Sequence, residues 1–600
     1  MKSSIILTLA VATAALCSCE KFLEGDEVPN KIVADEYFSN ESSLATYANG
    51  FLNSYTPAVT TLTYGDQYAE NVAKINMNNF YIGNWDANQQ SGWSRGDWTM
   101  LYNVNYFLKN LRKASVSEEV LDHYEGVGRF WRAWFYFSKV KTFGAVPWYD
   151  KPIDAEDEES LYKGRDNREY VMSKILEDLN YAAEHCYKDA SHINNGQING
   201  YIANAFKARV CLWEGTYRKY HTTDPSTGQP WTGEYGSAED YLQACVDAAS
   251  VVMNSGVYTV RTSTSYSSLF LSGNIVYDEI LWARQYSSAL NFYHNTTSVF
   301  NSTSSGACWN MTKAFLNTYL HTDGTRHTDI SGYRTMPYVQ ELSGRDNRLA
   351  QTIMAPGYIK SVDGNNTEYS VFINPSFMKT GYWVSKWMLP SNAYEGNTTC
   401  YNALPILRYA EVLLNYAEAK AELGTFSSED WSKTIAPLRA RAGVATIEPA
   451  TADPYLIDYF DKTVTDKWIL EIRRERGIEL YMEGLRYEDL MRWKLGHLIA
   501  RTWEGMYAPL GEKQAWNVAG DRFVCFVQSK AGNDANVAAL GEAYKGAAAG
   551  VDNVVMLTLG TGVGGGIIIN NSLLKGQNGA AGEMHFKMYC DKRRKCTCGS

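Results

Sequence analysis

Between about residues 40 and 500, apolar residues recur at helical spacing in segment after segment, and this periodicity restricts the chain to a mainly α-helical body. In Leu404 to Gly424, the residues Ala410, Leu413, Leu414, Ala417 and Ala421 fall at i, i+3, i+4, i+7 and i+11, making one apolar stripe that Gly424 stops. Comparable stripes run through Leu101 to Leu111, Tyr124 to Phe143, Tyr170 to Ala183, Ile202 to Tyr217 and Tyr241 to Met253. Small residues such as Ala133, Ala205 and Ala208 stand among the aromatics of these helices and permit close helix–helix approach, as in helical-repeat solenoids. The expected architecture is a set of helix pairs without a strict repeat.

The stretches 54–100, 218–238, 254–310 and 320–400 are rich in Gly, Ser, Thr and Asn and read as long irregular loops, which in a compact body usually serve function. They carry Tyr64, Tyr68, Tyr81, Trp85, Trp93, Trp98, Tyr286, Tyr293, Trp309, Tyr382 and Trp383. With 42 Tyr and 17 Trp in the chain, most rings must be core, yet flat aromatic faces also stack on the C–H faces of sugar rings. A sugar site needs one or two such platforms flanked by groups that hydrogen-bond hydroxyls. The glycan-binding candidates are Tyr81, Trp85 and Trp93 with Asn84 and Gln89, then Tyr286, Trp309 and Trp383; for each of them burial is the competing structural reading.

A formal net charge of −10 argues against nucleic acid as a partner. Cys211 and Cys245 lie in helical patterns and read as free buried thiols, and no disulfide framework is indicated. Glu475, Glu479, Glu483, Glu488 and Asp489 alternate with Arg473, Arg474, Arg476, Arg486 and Arg492. Such interleaving reads as ion-pair ladders along a helix rather than as a glycosidase carboxylate pair. His221 and His294 lack partners at metal-ligand spacing and read as polar loop residues. At the start, Met1 to Ser4 is a positively charged n-region and Ile5 to Leu16 an uncharged run too short to span a bilayer. Leu16-Cys17-Ser18-Cys19 resembles the bacterial lipobox, which implies that residues 1–18 are a cleaved signal and that Cys19 carries acyl chains anchoring the mature chain to a membrane.

Several motifs in sequence order resemble the SusD/RagB family. They are Gly128-Arg129-Phe130-Trp131-Arg132-Ala133 leading to Phe143-Gly144-Ala145-Val146-Pro147, then Leu404-Pro405-Ile406-Leu407-Arg408-Tyr409-Ala410-Glu411, Leu438-Arg439-Ala440-Arg441-Ala442-Gly443-Val444, and Glu475-Arg476-Gly477-Ile478-Glu479-Leu480 with Glu483-Gly484-Leu485-Arg486-Tyr487. The resemblance covers residues 19–528 and implies tetratricopeptide-like helix pairs with a loop-rich face and no enzymatic activity or cofactor. It also implies an outer-membrane, cell-surface-facing lipoprotein that binds oligosaccharide or polysaccharide and delivers it to a SusC-like TonB-dependent transporter.

Near residue 530 the composition changes. Val554 to Leu559 and Ile567 to Ile569 read as strands flanking Gly560-Thr561-Gly562-Val563-Gly564-Gly565-Gly566, a glycine-rich hairpin. Together with Asn533-Asp534, Gly579-Ala580-Ala581-Gly582-Glu583 and Cys596-Thr597-Cys598, residues 531–600 resemble a truncated α/β piece of the ROK family of sugar kinases and repressors. The resemblance implies Asp534 as general base, Asn533 and Glu583 as sugar contacts, and His585, Cys596 and Cys598 as an incomplete zinc site. No Asp-x-Gly-Gly-Thr phosphate loop occurs, and Met584 runs directly into His585, so the expectation is a partial, inactive kinase-like segment joined to a SusD-like body near Gln528 to Asn533. An ATP-dependent hexose kinase is the alternative reading.

Overall fold

A computed structural model describes residues 34–74, 90–154, 156–301, 309–368, 379–396 and 398–507, together with the backbone of three strands near the C-terminus. The chain divides into two compact units. One draws on the chain up to Thr56, on Trp93–Ile193 and on Gln197–Ala203; the other takes Pro57–Gly92, Asn194–Gly196 and Asn204 onward.

The first unit is built on the helices Glu41–Tyr55, Thr99–Asn110, Glu118–Phe143 and Arg168–His185. Polar side chains start three of them: Asn40, Ser117 and Asn167 each accept a backbone N–H of the first turn. The two longest helices pack side by side. Buried Arg132, from the Arg-Ala motif, bridges them with two parallel bonds of 2.7 Å to Asp178, a fork that fixes both distance and register. Aromatics fill the space between the other helices, with Tyr47 stacked on Phe107 at 5.3 Å between ring centres.

In the second unit the helices Ala238–Met253, Tyr409–Glu422 and Lys467–Glu479 pack in succession, consistent with the helix pairs expected. The periodic segment beginning at Leu404 proves to be two elements. Leu404–Arg408 is a strand paired antiparallel with Ile280–Arg284, and the helix starts only at Tyr409. Pro405 explains the division, because its missing N–H is tolerated in a two-stranded ribbon but breaks a helix interior. Gly424, with φ +71°, ends the helix as its position indicated. The expected long loops hold short elements, including Val59–Tyr64, Thr296–Asn301, Tyr338–Leu342 and Asn347–Thr352. Among the described residues no helix is long and apolar enough to cross a membrane.

The charged residues around 471–492 are ion-paired, but mostly not as a ladder. Every residue from Ile469 to Glu479 is buried, so charges on this helix cannot be solvated and are met by partners from distant segments. Glu479, fully buried, accepts from Arg348 at 2.8 Å, from Arg408 at 3.0 Å and from Arg441. Arg348 also reaches Asp346 and Glu475, Arg408 and Lys386 share Glu483, and Arg439 links Glu471 to Glu475. Only Glu471–Arg474 and Asp489–Arg492 are pairs within one helix.

Toward the C-terminus, Val554–Leu559 and Val563–Ile569 form an antiparallel pair, extended by Ser572–Leu573. The hairpin is as expected, but Gly564, Gly565 and Gly566 lie inside the second strand, opposite Thr558, Leu557 and Met556. Three glycines in a ladder keep its backbone bonds while giving up side-chain packing.

Candidate functional site

In the second unit a short helix, Val59–Tyr64, runs into the 3-10 turn Gly65–Tyr68 and meets the helix Arg486–Arg492. Two glycines allow the meeting. A Cβ on Gly65 would stand 2.4 Å from the Cα of Gly484, and Gly484 itself has φ +80°. Buried Asp66 then accepts the N–H of Arg486 at 2.8 Å, and Glu70 accepts the Arg486 guanidinium at 2.6 Å and the Tyr459 hydroxyl at 2.7 Å. Gly65→Ala is expected to cost about 1–3 kcal/mol in urea unfolding, because backbone rather than a flexible side chain must move. Gly50→Ala, where a Cβ meets nothing within 4 Å inside the helix Glu41–Tyr55, should instead be neutral or stabilising.

Where these elements diverge they leave a cleft of about 320 Å³, the size of a small-ligand site. Its walls are Thr60, Thr61, Tyr64, Gln67 and Tyr68 on one side and Gly484, Tyr487 and Glu488 on the other. Tyr68 and Tyr487 meet edge to face with centres 6.1 Å apart, and the buried ammonium of Lys74 lies 5.0 Å from the Tyr68 ring centre. Burial pushes the Tyr64 hydroxyl up to about 12, so it stays a neutral donor and acceptor at physiological pH. The cleft thus combines half-buried rings with hydroxyl, amide and carboxylate groups.

Two of the tryptophans picked from the sequence lie beneath this cleft rather than in it. Trp309 and Trp383 are only 4% and 6% exposed, which corrects their reading as platforms. Trp309 packs edge-on against Tyr64 at 4.9 Å, and the Trp383 indole donates to the Phe300 carbonyl at 3.0 Å. Phe300 in turn touches both Tyr64 and Trp309. They hold Tyr64 in place, while their own faces are spent on packing.

Tyr286 has a different setting. The chain leaving the strand Ile280–Arg284 turns back through Asn291, with φ +52°, and pairs Ser287 with Phe292. This stacks Tyr286 on Phe292 at 4.9 Å and 19°, with Phe292 45% exposed and Leu290 79% exposed at the tip. Arg284 lies within 6 Å of both ring centres and donates to the Pro57 carbonyl at 3.4 Å, so this hairpin borders the helix that lines the cleft. His294, read as a polar loop residue, is buried under Tyr286 and donates to the Asn402 carbonyl at 3.0 Å; burial lowers it to about 4, keeping it neutral.

Trp93 belongs to the first unit and is 39% exposed. Its edges pack on Trp98 and Phe143, and the Arg165 guanidinium lies 4.6 Å from its ring centre. Tyr81, Asn84, Trp85, Gln89, Cys19, Asp534, His585, Cys596 and Cys598 lie outside the described residues.

Catalytic arrangements are not evident among the described residues. Among the described residues no cluster of three or more His, Cys, Asp or Glu side chains could hold a metal. Ser191, His192 and Asp189 share one exposed turn, but Ser191 at 3.0 Å and Asp189 at 2.7 Å both meet the same nitrogen, Nδ1, so the ring cannot relay a proton between them. Of the carboxylates that a glycosidase pair would draw on, Glu475, Glu479, Glu483 and Asp489 are bound to arginines.

Comparison with known proteins finds SusD-type matches over the body and a different family at the C-terminus. Residues 278–544 match the SusD family, residues 21–212 match a family described as starch-binding associating with outer membrane, and residues 524–600 match the ROK family. SusD-like protein P2 of Formosa agariphila is 24% identical over 518 residues, covering 82% of this chain and 91% of that protein. A SusD-like carbohydrate binding protein from Bacteroides fragilis has the same fold, with a TM-score of 0.62 at 21% identity over 82% of this chain and 95% of that one. A glucokinase of Halalkalibacterium halodurans is 53% identical over 68 residues, which are 11% of this chain and 21% of the kinase. The chain therefore spans about a fifth of the glucokinase it matches.

Proposed function

The body of this chain is SusD-like, and we propose that it binds a glycan at the cleft between Tyr68 and Tyr487, extended by the Tyr286–Phe292 hairpin. What carries this reading is the cleft itself, in which half-buried aromatic rings converge with Thr60, Thr61 and Gln67, the combination that matches the apolar faces and hydroxyl edges of a sugar. The Arg284–Pro57 bond supports treating cleft and hairpin as neighbouring parts of one site. The described outer-membrane association of the matching family and the lipobox-like Cys19 support a lipid-anchored, surface-facing location, with delivery to a SusC-like TonB-dependent transporter as the role. We assign residues 19–528 to this binding body and residues 531–600 to a partial ROK-like segment without kinase activity, on the ground that no Asp-x-Gly-Gly-Thr phosphate loop occurs in the sequence.

Titration of the purified protein with a panel of neutral oligosaccharides, read by intrinsic Tyr and Trp fluorescence without ATP, tests the reading. At least one oligosaccharide should quench saturably, and Tyr68→Ala with Tyr487→Ala should weaken it by about tenfold or more, the loss expected for removing aromatic contact. Absence of any saturable change across the panel would refute it. The match of residues 524–600 to sugar kinases keeps one alternative, an ATP-dependent hexose kinase, which ADP release on mixing with glucose and ATP would establish.

A further inference from the structure

We propose that the first unit carries a second sugar contact, built on Trp93 and Arg165, that takes a carboxylate-bearing sugar, a uronate unit. It belongs to the other unit from the cleft and does not depend on it. The helix Glu118–Phe143 ends at Gly144, with φ +69°, and Nη1 of Arg165 donates to the carbonyls of Phe143 and Ala145 at that end, at 3.4 Å each. A cation is favoured at a helix C-terminus, where unpaired carbonyls gather. The guanidinium is therefore held in place by neutral acceptors, which fix its position without cancelling its charge as a carboxylate would. Both bonds leave from one nitrogen of an exposed side chain, so Nε and Nη2, donors that can grip a carboxylate in two parallel bonds, remain for a ligand.

Trp93 supplies the other half. Its indole meets Trp98 at 5.3 Å and Phe143 at 4.8 Å, both edge to face, and the Arg165 guanidinium lies 4.6 Å from its ring centre. Held this way it loses little freedom on binding, and 39% of it stays exposed. A uronate matches the pair, with C–H groups for the indole and a planar carboxylate for the guanidinium. The aromatic row continues from Trp98 to Tyr149 at 6.3 Å, with buried Lys139 5.2 Å from the Trp98 ring centre and Lys163 5.7 Å from that of Tyr149. Its acids are engaged locally. Asp97 accepts the N–H and the hydroxyl of Ser94 at 2.8 and 2.5 Å, and Asp166 pairs with Lys163 at 2.6 Å. With Lys163 matched and Lys139 buried, Arg165 is the cation of this row that meets a ligand's carboxylate.

The test uses the full chain and tetrasaccharides of galacturonate, glucuronate and mannuronate, each beside its carboxyl-reduced neutral counterpart. Calorimetric titration should show saturable binding of at least one oligouronate, about tenfold or more tighter than its reduced form, ~1.4 kcal/mol. Arg165→Gln should abolish that advantage, Arg165→Lys, which keeps the charge but not the fork, should retain only part of it, and Trp93→Ala should weaken the oligouronate about tenfold. Binding should also weaken in 1 M NaCl, which screens exposed charges, and should persist in Tyr68→Ala with Tyr487→Ala. Absence of saturable binding to all three oligouronates overturns the proposal, as does an advantage that survives Arg165→Gln; that exposed position decides the matter even where Trp93→Ala lowers the urea midpoint. Tetra-aspartate bound as tightly as the oligouronate would assign the contact to charge alone and overturn the sugar reading. Loss of oligouronate binding in Tyr68→Ala with Tyr487→Ala would move the contact to the cleft and overturn the second site, whereas the cleft itself stands or falls on the neutral panel.

Discussion

Glu479→Ala is expected to remove about 3–5 kcal/mol of unfolding free energy, the cost of breaking a buried ion pair and leaving its partners without compensation. Three guanidinium groups, those of Arg348, Arg408 and Arg441, converge on this one carboxylate, which is fully buried. They come from the helix Asn347–Thr352, the strand Leu404–Arg408 and the helix Ile435–Arg441, so the residue holds three distant segments to the helix Lys467–Glu479. Glu479→Gln keeps the shape but not the charge, and should also lose stability because three cations then share too few anions. A urea midpoint moved by less than the equivalent of 1 kcal/mol in both variants would mean that these arginines find other partners. The same network sets an acid limit. Neighbouring arginines, overcoming the cost of burial, hold Glu479 well below the usual carboxylate range and Glu471 at about 2, and arginine with lysine lowers Glu483 too. Groups depressed in this way stabilise the fold above their unfolded values near 4.5, and that stability is lost as pH falls toward the folded values.

Much of the helical scaffold was legible because its signal is local. The stripe from Tyr124 to Phe143 marks a helix that the structure extends back to Glu118, where Ser117 caps it, and the Arg-Ala motif within it supplies the Asp178 bridge. The strand Leu404–Arg408 was not legible, since five consecutive buried residues fit a buried helix turn as well as a strand, and only pairing with Ile280–Arg284 distinguishes them. Ion partners were hidden for a related reason. Residues 471 to 492 offer pairs at i, i+3 and i+4, but the helix is buried all round, and sequence spacing cannot show that Arg348 and Arg441 fold onto it. The aromatic site was legible by residue type alone. Trp309 and Trp383 look as suitable as any ring, yet they lie under Tyr64, whereas Tyr68 and Tyr487 reach the cleft because Gly65 and Gly484 bring two segments more than 400 residues apart into contact. The Gly484-Leu485-Arg486-Tyr487 run held the clue, a glycine at positive φ immediately before a helix, but its partner at Gly65 carries no sequence mark of its own.

Between about pH 4 and 7 Asp66 is expected to contribute less and less stability as pH rises, read as the wild type losing stability relative to Asp66→Asn. Asp66 is fully buried between the turn Gly65–Tyr68 and the helix Arg486–Arg492. One oxygen accepts the Arg486 N–H, and the other has no hydrogen-bond partner among the described residues. Burial raises the carboxyl from 3.8 to about 7, against the lowering effect of the Arg486 and Gly484 N–H groups, and Asp489 adds to the rise while Lys386 opposes it. The folded protein therefore holds this proton more tightly than the unfolded chain does. Its contribution is fully present below the unfolded value near 4 and is lost as pH climbs through the folded value near 7, to an extent of about 4 kcal/mol. Urea unfolding of both proteins at pH 5 and pH 8 should show the wild type losing stability relative to Asp66→Asn, which keeps an acceptor for Arg486 without a titrating charge, while buried histidines such as His294, held neutral in the fold, shift both proteins alike. Equal slopes in the two proteins would place the titration elsewhere. Because Asp66 ties the Tyr68 wall of the cleft to the Tyr487 wall, its ionisation forces water or a counter-charge into the joint that sets the spacing of those rings. Ligand binding at the cleft should therefore weaken from pH 5 to pH 8 in the wild type and hold steady in Asp66→Asn, linking the carboxylate beneath the site to the geometry of the site itself.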